Sequence, residues 1–257
     1  MIETPHFYAI IIGTEILNGR REDKHFEYIK NALLSRGHEL YFSAIIKDSP
    51  ALIHQVFTLV KNDPHAVMFS FGGIGSTPDD LTREIAAEVF TNKALIKHEL
   101  FSKNIIERFG TDAYPHRIFM SYLPEGSELL HNPINNMSGF YLDTRYFFTP
   151  GFPEMAHPMI DEALGRFYPI AQHTKYRMTL VAQTSENTLI DIMHTINSDI
   201  ELSSLPKLRD GVAQCEISVA GPDESSLRLA FETFTKALDQ QGICYEILKI
   251  QNKSFNL

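Results

Sequence analysis

The chain has 257 residues, 44% of them hydrophobic, and a formal net charge of −9 at pH 7. This length allows one large domain or one medium and one small domain, and the composition supports a sizeable core. The acidic balance argues against binding to nucleic acid or to anionic membranes, because both need a basic surface.

Apolar periodicity predicts an alternation of strands and helices in the first part of the chain. The predicted strands are Phe7–Ile12, Leu40–Ile46, His65–Phe71 and Tyr146–Thr149. The predicted helices are Lys24–Arg36, Pro50–Asn62, Pro78–Phe90, Glu99–Phe109 and Glu154–Phe167. Segment 114–136 is rich in prolines and is predicted to be mostly loop. The alternation predicts an α/β fold, a parallel (mixed-edge) sheet with helices on both faces.

The pattern changes near Tyr168–Thr174, where we place a linker. The predicted strands beyond it are Tyr176–Ala182, Gln214–Ala220 and Cys244–Ile250, and the predicted helices are Ser185–Asn197 and Asp223–Gln240. A loop between them has room for one more strand. We therefore predict a domain at residues 1–170 and a smaller α+β domain at residues 175–257. The second domain has no evident site, which favours a packing or dimerisation role.

Cysteine and histidine usage gives no sign of a preformed metal centre. Cys215 and Cys244 lack metal-ligand or redox spacing, so we expect a reducing cytoplasm and two small core thiols. The run Phe7–Ile12 is far shorter than the roughly 20 residues of a membrane span, and no signal peptide is visible. Five histidines lack metal-ligand spacing, and most of them are expected to be exposed or hydrogen-bonded: His25, His54, His65, His131 and His157.

The most informative segment is Gly72–Thr82, which reads Gly-Gly-Ile-Gly-Ser-Thr-Pro-Asp-Asp-Leu-Thr. It lies between a predicted buried strand and a predicted helix. Glycines there let the backbone approach a ligand, and free N–H groups at a helix start bind anions. The segment therefore predicts a phosphate-binding loop, formed by Gly72, Gly73, Gly75, Ser76 and Thr77.

Two carboxylates, Asp79 and Asp80, follow the glycines where a phosphate is expected. Carboxylate and phosphate repel unless a cation lies between them, so a divalent metal such as Mg²⁺ is the simplest partner. A second interpretation is structural: Thr77 is a good N-cap, Pro78 a good first helical residue, and both aspartates favour a helix N-terminus.

Three further segments follow predicted strands and are expected at the same edge of the sheet. They are Gly13, Asp48 and the stiff turn Pro150–Pro153. Ligands of parallel α/β sheets bind beyond the carboxyl ends of the strands, so these segments can share one site with the glycine loop.

These motifs resemble the molybdopterin-binding (MoaB/Mog-like) domain family. Gly72–Thr82 resembles its Gly-Gly-x-Gly-x-Thr-x-Asp-Asp-x-Thr signature, and Ile12–Gly19 is similar to its opening motif. Leu123–Gly126, Asn132-Pro133 and Pro150–Glu154 resemble its later motifs. The branch that looks most similar comprises the N-terminal part of competence/damage-inducible protein A and the N-terminal domain of eukaryotic FAD synthase. The chain departs from the pattern at 134–138, where an Ala-Pro pair is lost.

The resemblance implies a divalent-metal-dependent pyrophosphatase acting on ADP-ribose, FAD or a similar nucleotide. Asp80 and Asp48 are the implied catalytic residues, with Asp80, Asp79 and Asp48 holding Mg²⁺, Mn²⁺ or Co²⁺. The implied substrate-binding residues are the glycine loop together with Gly13, Glu15, Asp23, Thr82, Pro150, Gly151 and Pro153. Glu15 and Asp23 are equally compatible with capping a helix, and Thr82 with a local hydrogen bond.

The same motifs are compatible with two other functions. One is an adenylyltransferase-like enzyme of molybdenum cofactor biosynthesis, and the other is a non-catalytic pterin- or nucleotide-binding protein. In each case the partner is a small-molecule nucleotide or pterin, with no nucleic acid and no membrane. The resemblance also implies a homo-oligomer, either dimer or trimer.

Overall fold

The structure, a computed structural model, describes residue 2, residues 4–171 and residues 176–251. The chain divides into two units, Met1–Ile170 and Ala171–Leu257. Among the described residues, every helix is too short or too polar to cross a lipid bilayer.

The first unit alternates strands and helices as the apolar pattern predicts. Its strands are β1 His6–Ile12, β2 Leu40–Ile46, β3 Ala66–Phe71, β4 Leu95–Lys97, β5 Tyr122–Pro124, β6 Glu128–Leu130, β7 Gly139–Leu142 and β8 Tyr146–Thr149. Its helices are α1 Thr14–Leu17, α2 His25–Leu34, α3 Pro50–Lys61, α4 Thr82–Ala86, α5 Glu99–Phe109 and α6 Pro153–Phe167. A π-helical turn, Ala87–Thr91, extends α4, and short 3₁₀ turns cover Gly110–Ala113 and Arg117–Ser121.

Six strands of this unit form one sheet in the order β2-β1-β3-β8-β7-β6. The first four are parallel, while β7 and β6 extend the sheet antiparallel to their neighbours. A separate two-stranded antiparallel ribbon joins β4 to β5. The predicted fold class, a mostly parallel sheet with a mixed edge, is therefore confirmed.

Helices cover both faces of the sheet, which explains why β1 is apolar from Phe7 to Ile12. Phe7, Ala9 and Ile11 pack in a core with α2 and α6. Their alternating neighbours, such as Ile10, pack on the opposite face against α3, α4 and α5. Because successive side chains of a strand point to opposite faces, a strand buried on both sides must be apolar at every position.

The second unit contains a four-stranded antiparallel sheet in the order β10-β11-β9-β12. Its strands are β9 Tyr176–Ala182, β10 Glu201–Arg209, β11 Val212–Gly221 and β12 Tyr245–Gln251. Two helices, α7 Glu186–Met193 and α8 Glu224–Gln240, pack on this sheet around Leu189, Phe231 and Phe234. The predicted separate α+β region is present, with β10 filling the loop that had room for a strand.

The helix after the glycine loop begins later than predicted. Thr77 is not its N-cap, because α4 starts at Thr82 with Leu81 as the residue before it. The reason is local competition: Thr77 N–H and Thr77 Oγ1–H both donate to Asp80 Oδ2, at 2.8 and 2.6 Å. These bonds close a turn over 77–80 that takes the place of a first helical turn.

The division between the two units, after Ile170, lies inside the segment Tyr168–Thr174 where the linker was expected. Tyr168 itself is buried and its hydroxyl donates to Thr144 O, while positions 172–174 lie outside the described residues. Two other expectations need correction. Cys215 is a buried thiol as expected, but Cys244 is exposed. Short strands β5 and β6 lie within the segment predicted as loop, since three-residue strands are too short to show periodicity.

Candidate functional site

The expected ligand-binding edge of the first sheet lies where β1 and β3 end. Helix α2 connects β1 to β2 across one face of the sheet, and α3 connects β2 to β3 across the other. The direction of strand order therefore reverses between β1 and β3, and open α/β sheets bind their ligands at such a reversal. Gly13 follows β1 and Gly72 follows β3, so the expected site residues flank this position.

Two glycines of the loop are required by its geometry. Gly72 and Gly73 have φ values of 99° and 70°, a region that side chains with a Cβ rarely adopt. A Cβ added to Gly72 would clash with Ile12 O, and one added to Gly73 would clash with Thr82 Oγ1. The loop thus lies directly against the end of β1 and the start of α4.

Four consecutive backbone donors of this loop are free. The N–H groups of residues 73–76 donate no hydrogen bond to any other described residue. Gly73, Gly75 and Ser76 are partly exposed, so these donors are accessible to a ligand. Successive free N–H groups in a glycine-rich turn bind anions, and phosphate is the common one.

The loop is held from behind by Thr82, which is fully buried. Its N–H donates to Gly73 O at 3.0 Å, and its hydroxyl donates to Gly72 O at 3.1 Å. Of the two interpretations of this threonine, the structure places it in the local hydrogen-bonding one. Its side chain fixes the conformation that leaves the four donors free.

A buried cation, Arg83, follows Thr82 in α4 and interacts electrostatically with Asp80; the sequence did not single it out. Only 4% of it is exposed, one Nη donates to Phe119 O, and the other lies 4.0 Å from Glu84 Oε1. Burial lowers the pKa of Arg83, because removal from water disfavours the charged guanidinium. An anion bound at the loop would partly compensate this charge.

The two loop aspartates occupy different environments. Asp80 packs against Gly75, where an added Cβ would lie 2.5 Å from Asp80 Oδ2. Both hydrogen bonds from Thr77 go to that oxygen, so Oδ1 is left for a ligand. Asp79 is exposed, and hydrogen bonding from Thr77 lowers its pKa.

Asp48 and Glu15 shape the neighbouring end of β1. Asp48 Oδ2 accepts the N–H of Thr14 at 2.7 Å, and Asp48 N–H donates back to Thr14 Oγ1 at 3.2 Å. The Glu15 carboxylate lies over Gly13, at 3.2 Å from an added Cβ, and its Oε1 is 3.7 Å from Arg21 Nη1. These contacts join the loops after β1 and β2.

Asp23 is a helix cap in the structure. Its Oδ1 accepts the N–H of His25 at 2.9 Å, and its Oδ2 accepts the N–H of Phe26 at 3.0 Å. Both oxygens are therefore committed to the first turn of α2, which is the capping interpretation of this residue.

The proline-rich turn lies against the glycine loop, as the sequence predicts. Gly72 N–H donates to Thr149 O at 2.9 Å, and a Cβ added to Gly151 would lie 3.5 Å from Gly72 Cα. Gly151 O accepts from Arg21 Nη2 at 2.7 Å and lies 3.3 Å from His25 Nε2. The Pro150–Pro153 turn is thus tied to the segment after β1.

His25 is buried, and of its two ring nitrogens only Nε2 has a hydrogen-bond partner among the described residues. Only 2% of His25 is exposed, and its ring stacks on Phe71 with centroids 4.5 Å apart. Its Nδ1 has no partner among the described residues. Burial lowers its pKa from 6.5 to about 4, against an opposing hydrogen bond to Gly151. His157 packs edge-on at 5.5 Å and has its own buried, unpartnered Nε2. Neutral His25 therefore donates through Nε2 to the turn.

The described residues fit a metal held jointly with a phosphorylated ligand. They contain no group of three or more His, Cys, Asp or Glu side chains placed to hold a metal ion by themselves. Mg²⁺ is usually bound by one or two carboxylates plus substrate phosphates and water, so it needs no such group. Asp80, whose Oδ1 accepts no hydrogen bond from a described residue, would supply the first of those carboxylates.

The fold and this loop define the class of protein. Residues 8–170 match the family model described as "Probable molybdopterin binding domain", and the chain belongs to that family. The resemblance inferred from Gly72–Thr82 is thereby confirmed.

Two relatives match the chain over most of its length. A protein of Caldivirga maquilingensis is 28% identical over 235 residues, which cover 86% of this chain and 90% of that protein. A protein of Bacillus pumilus named as a competence-damage inducible protein is 26% identical over 247 residues, 91% of this chain. The match covers only 58% of the Bacillus protein, so the chain spans little more than half of its length.

One solved structure supports the fold. The crystal structure of the protein CinA from Thermoplasma acidophilum, whose function is given as unknown, superposes with a TM-score of 0.58 at 24% identity. The match covers 64% of this chain and 98% of that one. The first unit therefore has the fold of that protein.

Proposed function

We propose that the chain is a divalent-metal-dependent pyrophosphatase that cleaves the phosphate anhydride of ADP-ribose, FAD or a similar nucleotide. The observation that carries the proposal is the row of four N–H donors at residues 73–76, at the ends of β1 and β3, that have no partner among the described residues. A diphosphate carries several anionic oxygens close together, so it can accept hydrogen bonds from several consecutive N–H groups at once.

In this proposal each part of the site has a separate task. The free N–H groups bind and orient the diphosphate, and buried Arg83 adds a positive potential. Asp80 holds the metal through Oδ1, with Asp79 and Asp48 as further candidate carboxylates. A bound divalent cation supplies charge withdrawal from the anhydride. The Pro150–Pro153 turn and Glu15 close the site on the side of β8 and β1.

The second candidate is a molybdopterin-handling, adenylyltransferase-like enzyme, which the description of the family favours. The same donors would then bind a pterin or nucleotide phosphate. Turnover would depend on ATP and on a pterin acceptor rather than on water. A non-catalytic pterin- or nucleotide-binding protein would share the ligand contacts but release no product.

The proposal is tested by supplying ADP-ribose, FAD and NAD to the purified chain, with Mg²⁺, Mn²⁺ and Co²⁺ in turn. We expect metal-dependent release of AMP from at least one of them. Asp80→Asn should abolish release while preserving the fold, since the amide oxygen still accepts from Thr77. Asp112→Asn, which changes an exposed carboxylate on a 3₁₀ turn, is the matched control and should keep full activity.

Two results would count against the proposal. Full activity of Asp80→Asn would remove Asp80 from the metal site. Absence of AMP release from all three compounds, combined with thermal stabilisation by the same compounds, would favour the binding protein or the molybdopterin pathway. The proposal also includes a cytoplasmic setting and a homo-oligomer of two or three chains, which gel filtration with light scattering would test.

A further inference from the structure

An exposed aromatic ring lies next to the glycine loop. Phe152 follows Gly151, the residue that packs against Gly72, and 57% of Phe152 is exposed. Its carbonyl accepts the N–H groups of Met155 and Ala156, so its backbone is fixed at the start of α6. A large apolar side chain is therefore presented to solvent from a rigid position, one residue from the loop contact.

One side of this ring is covered by a fixed cation. The Arg21 guanidinium lies 5.3 Å from the Phe152 ring centroid, within the range of a cation–π contact. Arg21 is itself held by Gly151 O at 2.7 Å and by Glu15 Oε1 at 3.7 Å. The ring and the guanidinium thus form a preorganised pair, which we call the Phe152–Arg21 platform.

The platform adjoins Gly151, which packs against Gly72, and the next four N–H groups of that loop have no partner among the described residues. The free N–H groups of residues 73–76 suit the phosphate of a ligand, while an exposed ring suits a planar group. A ligand carrying both groups would use both parts of the site. Aromatic rings bind every base through its π-face and therefore favour a heterocycle without selecting its identity.

We propose that Phe152, with Arg21 over one face, stacks the planar heterocycle of the ligand whose phosphate the glycine loop binds. This inference rests on the proposed function for the identity of the ligand as a phosphorylated heterocycle. Phe152 then contributes to the binding affinity through the heterocycle of the ligand and not through its phosphate.

The test compares two probes in Mg²⁺-containing buffer by isothermal titration calorimetry. AMP carries a phosphate and a heterocycle, whereas ribose 5-phosphate carries only the phosphate and the sugar. We expect Phe152→Leu to weaken AMP binding about ten-fold, since stacking of one base contributes a factor of this order. Binding of ribose 5-phosphate should change by less than about two-fold.

Two further variants control for packing and for general surface effects. Phe152→Tyr keeps an aromatic face and should bind AMP like the wild type. Phe119→Leu changes an aromatic residue of similar exposure, 54%, on the 3₁₀ turn Arg117–Ser121 and should alter neither affinity. Unchanged AMP binding by Phe152→Leu, or an equal loss for both probes, would overturn the stacking role.

The outcomes separate this inference from the proposed activity. If the wild type binds AMP more tightly than ribose 5-phosphate and Phe152→Leu binds both equally, the stacking role of the platform is supported even when no anhydride is hydrolysed. If AMP is released from ADP-ribose but Phe152→Leu keeps the wild-type preference, the activity stands and the platform is refuted. A wild type that binds neither probe refutes both.

Discussion

Protonation of His25 should weaken the first unit over a defined pH range. His25 is buried beneath the Gly151 turn, and burial lowers its pKa from 6.5 to about 4. His25 therefore takes up a proton near pH 6.5 in the unfolded chain, but only near pH 4 in the folded chain. Stability is at its full value above the unfolded pKa and falls as the pH drops through this window.

The size of the effect follows from the shift. A pKa difference of about 2.5 units corresponds to about 3.4 kcal/mol when the pH has fallen below both values. Between pH 7 and pH 5 the same linkage removes about 1.8 kcal/mol. His25→Gln keeps a side-chain donor for Gly151 O but removes the titrating group, so this portion of the pH dependence should disappear.

Native-state hydrogen exchange of the β1 amides at both pH values measures this difference, because it reports unfolding of the first unit alone. The wild type should lose about 1.8 kcal/mol more than His25→Gln between pH 7 and pH 5. His116→Gln, a change of an exposed histidine, should follow the wild type. Equal pH dependence in wild type and His25→Gln would refute the account of His25 as a buried neutral group.

Substitutions at four other positions test the geometry of the site and of the core. Gly72→Ala should lower stability by about 2 kcal/mol, since it combines a clash with Ile12 O and positive φ. Gly126→Ala, at φ 87° with open space around it, should cost only about 1 kcal/mol in the same thermal melts. Asp23→Ala should cost about 1 kcal/mol, and Asp23→Ser should recover most of it; equal loss in both would contradict the cap. Phe234→Ala should destabilise the second unit by about 3–5 kcal/mol in urea, and a smaller loss would mean that its core relaxes.

Most of the first unit could be predicted because its strands are buried on both faces. Phe7–Ile12 and His65–Phe71 are continuous apolar runs, and they became β1 and β3 within a residue at each boundary. The start of α4 could not be predicted in the same way. Thr77 and Pro78 satisfy the rules for a helix start, but Thr77 instead donates two hydrogen bonds to the Asp80 carboxylate. Sequence rules allow both a helix N-cap and this turn, and they do not say which is more stable.

The candidate site was predictable only where it follows from strand ends. Gly13, Asp48, the glycine loop and the Pro150–Pro153 turn each come after a strand, so their common edge could be inferred. The contact of Arg21 with Gly151 spans 130 positions and depends on the packing of α2 against α6. Local sequence patterns carry no information on such a pair, and the burial of His25 was missed for the same reason.

The order of strands has a consequence for the growing polypeptide on the ribosome. β1 can pair with β2 and β3 soon after they are synthesised, but the other edge of β3 pairs with β8, the strand Tyr146–Thr149, which is synthesised much later. At ordinary elongation rates this delay lasts about 4–15 s, during which a strand that is later fully buried has one unpaired edge. We expect nascent chains stalled between Phe71 and Tyr146 to be captured by chaperones more strongly than chains stalled after α6, and equal capture in ribosome pull-downs would contradict this.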